Sequence, residues 1–126
     1  MAAWKKNDHN TTIAELKQRL MEFRDARDWK QFHTPKDLAL AIAIEAGELG
    51  ERFLWKSVEE INADLQDPKK REAVQEELAD VVSYAFALAN ILNVDIASAC
   101  VAKTAKNEAK YPVEKAKGSS KKYTEL

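Results

Sequence analysis

The sequence predicts an all-α fold, a bundle of four to five helices in which two long antiparallel helices carry an acidic site. Three observations predict it. Every strong hydrophobic periodicity along the 126 residues is close to 3.6, and none alternates strictly over a useful length. Only three Gly and three Pro punctuate the chain, and they leave long uninterrupted segments. Most of these segments open on a side chain able to cap a helix.

Residues 1–11 read as an N-terminal arm. Thr12-Ile13-Ala14-Glu15 is a capping box, in which the hydroxyl accepts a free N–H and the Glu reaches back. Ile13, Leu16, Leu20 and Phe23 recur at three- and four-residue steps and carry helix 1 to about Asp28. Thr34-Pro35 pairs an N-cap hydroxyl with Pro at the first helical position, where its missing N–H costs nothing. Helix 2 runs from there to about Lys56. Ser57-Val58-Glu59-Glu60 repeats the capping box and opens a short helix 3. Asp67-Pro68 opens helix 4, which continues to Leu92, and Asn93 suits a left-handed end position. Asp95 caps helix 5, which ends before Tyr111-Pro112. The remainder, 113–126, is a basic, polar tail. It is either mobile or an arm that folds over an anionic ligand.

Composition narrows the class. A chain of this length with 45% hydrophobic and 33% charged residues forms one domain, 1–126, with a real core. Twenty Lys+Arg against 21 Asp+Glu leave a net charge of −1, so no global field draws the chain to nucleic acid or an anionic membrane. The single cysteine, Cys100, excludes an internal disulfide and a multi-Cys zinc site. No signal-peptide pattern and no apolar run of the ~18 residues needed to span a membrane are present. The expectation is a soluble, cytoplasmic protein.

Four acids occupy unexpected positions. In helix 2 the core stripe is Leu38, Ile42, Ala46, Leu49 and Phe53. On the helical wheel Glu45 lies about 60° from its centre and Glu48 about 120° away, on a face shared with Ala41, Ile44 and Trp55. In helix 4 Val74, Leu78, Val81, Ala85, Leu88 and Leu92 form the stripe, with Glu77 about 60° and Asp80 about 120° off centre. Glu76 points away and is solvated. Each long helix therefore sets two acids, spaced i and i+3, on the shoulder of an apolar stripe. Gathering such anions is costly without a cation, and Mg²⁺ with carboxylate and water ligands is the natural one. The alternative is ordinary ion pairing, Arg52 with Glu48 and Lys70 or Arg71 with Glu77 or nearby acids. Matching pairs on the two most apolar helices favour the cation.

Other chemistries are excluded. A di-iron bundle needs Glu-x-x-His on two helices, and neither His9 nor His33 follows a Glu by three. There is no Gly-x-Ser-x-Gly elbow and no Walker loop.

Glu45-Ala-Gly-Glu48 followed by Glu77-Leu-Ala-Asp80 resembles the signature of the MazG-like, all-α nucleoside triphosphate pyrophosphohydrolases. Arg27 to His33, Phe53 to Lys56, Gln75 to Val81, Lys103 to Pro112 and Lys122 to Leu126 resemble its dCTP pyrophosphatase branch. The resemblance implies Mg²⁺-dependent hydrolysis of a dNTP, dCTP or a 5-modified dCTP first, to dNMP and pyrophosphate, with Mn²⁺ able to substitute. It implies that Glu45, Glu48, Glu77 and Asp80 are metal ligands and catalytic groups. It implies a homo-oligomer, a dimer or homotetramer, with sites completed between subunits.

Trp29 and Trp55 match positions that pack around the base; the alternative for each is core packing. His33 contacts base or sugar, or is a structural hydrogen bonder. Lys103, Asn107 and Lys110 share one face of helix 5 and match positions near the triphosphate; the alternative is a solvated basic face. Tyr84, one turn beyond Asp80, reaches a phosphate or a carboxylate, whereas Tyr111 packs. Leu20 stands where vertebrate members carry a His, which weakens the expectation of strict dCTP preference. Two other readings remain: the same reaction on dATP, another dNTP or a noncanonical nucleotide, and a non-catalytic helical interaction protein.

Overall fold

Hydrogen bonding at helix N-termini decides where the elements begin. Thr12 and Ser57 each accept the backbone N–H three residues on, while Glu15 and Glu60 reach back to the cap N–H, completing both capping boxes. Thr34, Asp67 and Asp95 cap three further helices, the first two with Pro in the first turn. Such caps contribute about 1 kcal/mol each. The computed structural model describes residues 5–126, so residues 1–4 of the expected N-terminal arm lie outside the described residues. The elements are α1 (Ile13–Ala26), α2 (Pro35–Glu51), α3 (Val58–Asp64), α4 (Pro68–Leu92), α5 (Ile96–Lys110) and α6 (Val113–Ala116), with 3₁₀ turns at Lys30–Phe32 and Tyr123–Glu125. No strand occurs among the described residues.

The chain divides after Asn93 into two compact units, the first holding α1 to α4 and the second, Val94–Leu126, holding α5 and α6. In the first unit α2 packs along α4, and α1 packs on α4 beside it. The Asn90 side-chain amide donates to Lys17 O at 3.1 Å and ties α4 to α1. The α2–α4 pair is antiparallel: Glu45 lies near Asp80, whereas Glu51 to Phe53 meet Lys70 and Val74. Among the described residues the two buried apolar ones, Leu38 and Ala89, belong to this pair of helices. No single helix among the described residues is long and apolar enough to cross a membrane.

Two helix ends differ from the sequence expectation. Helix α1 stops at Ala26, with Asp28 in the left-handed region at φ 53°. Asp tolerates that conformation, and the turn it makes lets Trp29 N–H donate back to Arg24 O at 3.0 Å. Helix α2 stops at Glu51 rather than Lys56. Phe53 and Leu54 N–H groups both return to Gly50 O, and Trp55 adopts φ 63°. No Gly or Pro stands at Trp55 itself, so the sequence does not mark its left-handed conformation. Trp55 therefore does not share a helical face with Glu48. At the other end, α6 and a 3₁₀ turn give structure to the expected tail, and Tyr123 packs edge-to-face on Tyr111 at 6.0 Å.

The turn after α2 is clamped electrostatically. The Asp64 carboxylate, ending α3, accepts from Lys56 Nζ at 2.6 Å and Lys70 Nζ at 2.9 Å, joining the α2–α3 turn to the first turn of α4. Hydrogen bonds from Lys56 and then Lys70 hold its carboxyl below the ordinary 3.8. A lowered pKa means that the stabilisation is present above the ordinary value and is lost as pH falls through the folded one. Asp64→Asn is therefore expected to melt at a lower temperature than the parent at neutral pH. The difference should shrink towards about pH 3, as read from thermal melts across that range.

Candidate active site

The antiparallel register of α2 and α4 brings the acids of the two helices together. Glu45 and Glu48 are one turn apart on α2, and Glu77 and Asp80 one turn apart on α4. One carboxylate oxygen from each of Glu45, Glu48 and Glu77 lies within 4.8 Å of the others. Asp80 is close enough for its charge to act on Glu45. Desolvation, then the Glu48 hydrogen bond and the charges of Glu48, Asp80 and Glu77, hold the Glu45 carboxyl above the ordinary carboxylate range. Its Oε2 is buried and has no hydrogen-bond partner. An orphaned buried oxygen inside an all-carboxylate group is what a hard divalent cation satisfies, so these residues fit Mg²⁺ or Mn²⁺.

One ion pair differs from the sequence expectation. Arg52 Nη2 donates to Glu77 Oε1 at 3.1 Å, across the helix pair, where the sequence suggested Glu48. Lys70, expected to pair with Glu77 or a nearby acid, serves Asp64. The reason is register: the end of α2 lies against the N-terminal half of α4, so Arg52 faces Glu77 while Lys70 falls beside the end of α3.

Asp80 also lines a cavity of about 330 Å³ between α1, the 30–34 turn and α4, together with Leu20, Phe23, Trp29, His33 and Tyr84. Trp29 packs edge-to-face on Phe23, with centroids 5.7 Å apart at 75°, and remains 44% exposed. The His33 Nδ1 is buried without a partner, and desolvation followed by the Arg24 charge holds its imidazole below the usual range. The ring is thus neutral near pH 7, with one nitrogen donating and the other accepting. Three of the aromatic or polar residues singled out from the sequence, Trp29, His33 and Tyr84, therefore meet beside the carboxylates. Phe23 and Ser83 complete the wall, and neither was singled out as a site residue. The i+3 step from Asp80 to Ser83 was the available signal.

Of the two positions expected for Trp55, core packing within the chain is excluded, because the residue is 93% exposed. Its positive φ, rare for a bulky residue, adds local strain. Lys103, Asn107 and Lys110 are exposed on α5, in a separate compact unit from the carboxylates. There Lys110 Nζ lies 5.0 Å from the Tyr123 ring centre, a cation–π contact.

An all-helical chain with facing Glu-x-x-Glu and Glu-x-x-Asp pairs belongs to a defined class. The MazG-like family model matches residues 40–126, and the chain is a member of that family. It is 44% identical over 115 residues to dCTP pyrophosphatase 1 of Rattus norvegicus and of Homo sapiens, an alignment covering 91% of this chain and 68% of each relative. Among solved structures it resembles a pyrophosphatase from Archaeoglobus fulgidus, with a TM-score of 0.75 and 40% identity. That match covers 86% of this chain and 99% of the other.

Because Trp55 is exposed and left-handed, removing its side chain frees strain without uncovering a core. Trp55→Gly should raise the free energy of unfolding by about 1 kcal/mol in urea titrations. An unchanged or lower value would mean that the indole makes a stabilising contact.

Proposed function

We propose that the protein is a Mg²⁺-dependent nucleotide pyrophosphatase that cleaves a dNTP between its α- and β-phosphates, releasing dNMP and pyrophosphate, with dCTP or a 5-modified dCTP preferred. The observation that carries this reading is the convergence of Glu45, Glu48 and Glu77 oxygens within 4.8 Å. The adjoining aromatic cavity and the dCTP pyrophosphatase relatives support the nucleotide.

Glu45, Glu48, Glu77 and Asp80 would hold the metal. When bound, it supplies charge neutralisation for phosphate oxygens and Lewis acidity towards water, with Mn²⁺ able to substitute. One of these carboxylates takes a proton from the attacking water. Trp29 offers its face to the base, and the neutral His33 offers a hydrogen bond to base or sugar. Tyr84, one turn from Asp80, offers its hydroxyl to a phosphate. Trp55 packs on the nucleotide from its exposed turn. Lys103, Asn107 and Lys110 serve the triphosphate from α5, and the family match through residue 126 supports both compact units acting as one domain, 1–126. We place this activity in the cytoplasm.

A second reading keeps the reaction and changes the base. The wall of the aromatic cavity includes the apolar Leu20, which offers no hydrogen bond to a base edge. Stacking on Trp29 alone tolerates any base, so dATP, another dNTP or a noncanonical nucleotide fits the same cavity.

We also propose a homo-oligomer, a dimer or tetramer with sites completed between subunits. Among the described residues only Leu38, Ala89 and Arg24 are buried, few for a chain of this size. An apolar groove of about 490 Å³ between α1 and α4, lined by Leu16, Phe23, Leu78, Val82 and Phe86, is a face that a second copy would cover. Replacing the exposed Leu78 by Asp should shift the sedimentation coefficient to a smaller species; an unchanged coefficient would place the interface elsewhere.

The decisive assay incubates the purified protein with Mg²⁺ and each dNTP separately and identifies the products. dCMP and pyrophosphate, formed fastest from dCTP, are expected. Another base winning would favour the second reading, and dNDP with phosphate would put the scissile bond elsewhere. Glu77→Ala or Asp80→Ala should lower turnover by about 10²-fold or more while circular dichroism stays helical. Wild-type rates in both would remove the metal assignment.

A further inference from the structure

Arg52 belongs to two neighbourhoods at once. On one side its guanidinium holds Glu77 at 3.1 Å, where the Glu77 side chain is only 16% exposed and the Arg52 side chain 46%. On the other side it lines a cavity of about 240 Å³ together with Lys56, Lys70 and Asp64. Lys56 and Lys70 are both engaged with Asp64. Of the three cations lining that cavity, Arg52 is the one whose ion pair runs into the carboxylate group.

We propose that Arg52 is a built-in counter-cation that competes with the divalent metal for Glu77 and so weakens metal binding to the nucleotide-free protein. This rests on the carboxylates being a metal site. The guanidinium keeps its positive charge at any working pH, so it is a permanent charge beside the place a cation must enter. A neutral partner hydrogen-bonded to a ligand, such as a backbone group, orients the ligand and leaves its charge intact. A guanidinium does the reverse: it neutralises Glu77, occupies Oε1 and repels an incoming dication. Its half-exposed side chain has water beside it to move into, whereas Glu77 has little. The metal must then share Glu77 with the guanidinium, through the oxygen that Arg52 leaves open, or displace it, and either lowers its affinity.

The test measures Mg²⁺ and Mn²⁺ binding without nucleotide, by calorimetry and by the metal-induced rise in melting temperature, for wild type, Arg52→Met, Arg52→Gln and Arg52→Lys. Circular dichroism checks that each variant is folded, and two neutral substitutions guard against a failure specific to one. Both neutral variants should bind the metal about tenfold more tightly than wild type. Arg52→Lys should stay near wild type because it retains the charge. In chelator, the neutral variants should melt lower than wild type, since the acids lose their resident cation. Equal or weaker metal binding by both neutral variants would overturn the proposal while leaving the metal site standing. Absence of binding in all four proteins would overturn the metal site and, with it, this role for Arg52.

Discussion

Three carboxylate oxygens within 4.8 Å of one another, drawn from two packed helices, repel each other. The rest of the first unit is arranged around that constraint. The acids sit on the shoulders of α2 and α4, whose apolar stripes must face each other, so hydrophobic packing forces the anions together whether or not a cation is present. In the metal-free chain the repulsion is relieved in two ways. Glu45 retains a proton more readily than an ordinary carboxylate, and Arg52 neutralises Glu77. Neither device satisfies Glu45 Oε2. The protein folds around a defect in its own electrostatics.

The helix ends determine what surrounds that defect. Had α2 continued to Lys56, Trp55 would have extended the helical face of Glu48, and Lys56 would have lain a full turn beyond Arg52. Ending at Glu51 instead turns Trp55 outward at φ 63° and brings Lys56 to Asp64. The clamp of Lys56, Asp64 and Lys70 then fixes the start of α4 relative to the end of α2, and with it the opposition of Arg52 and Glu77. Likewise, the early end of α1 and the left-handed Asp28 place Trp29 against Phe23 and lead the chain to His33. Both turns thus pass through a non-Gly residue with positive φ.

These same features separate what the sequence makes legible from what it does not. Thr12, Ser57, Thr34, Asp67 and Asp95 bond to N–H groups two or three residues away, so their roles are local and readable. Asn93 closes α4 with φ 52° for the same local reason. The convergence of Glu45, Glu48 and Glu77 was readable because helical period and apolar stripe together fix which face meets the partner helix. The ends of α1 and α2 were not, since no Gly or Pro stands at Asp28 or Trp55. Nor was the choice of Glu77 over Glu48 by Arg52, which depends on the axial register of two helices and joins residues 25 apart in sequence. Spacing within one helix says nothing about register between two.

The cavity beside Asp80 gives the site its direction. A ligand with an apolar, flat end and an anionic end can place the flat end against Trp29 and Phe23 and the anionic end towards the carboxylates only if cations intervene. Without them, a polyphosphate is repelled from the acids it must approach. On the proposed function, base recognition and metal occupancy are therefore coupled: Trp29 and His33 would position a nucleotide only once the charge on Glu45, Glu48, Glu77 and Asp80 is offset. Arg52 alone supplies one positive charge against four carboxylates, which is too little to admit a triphosphate.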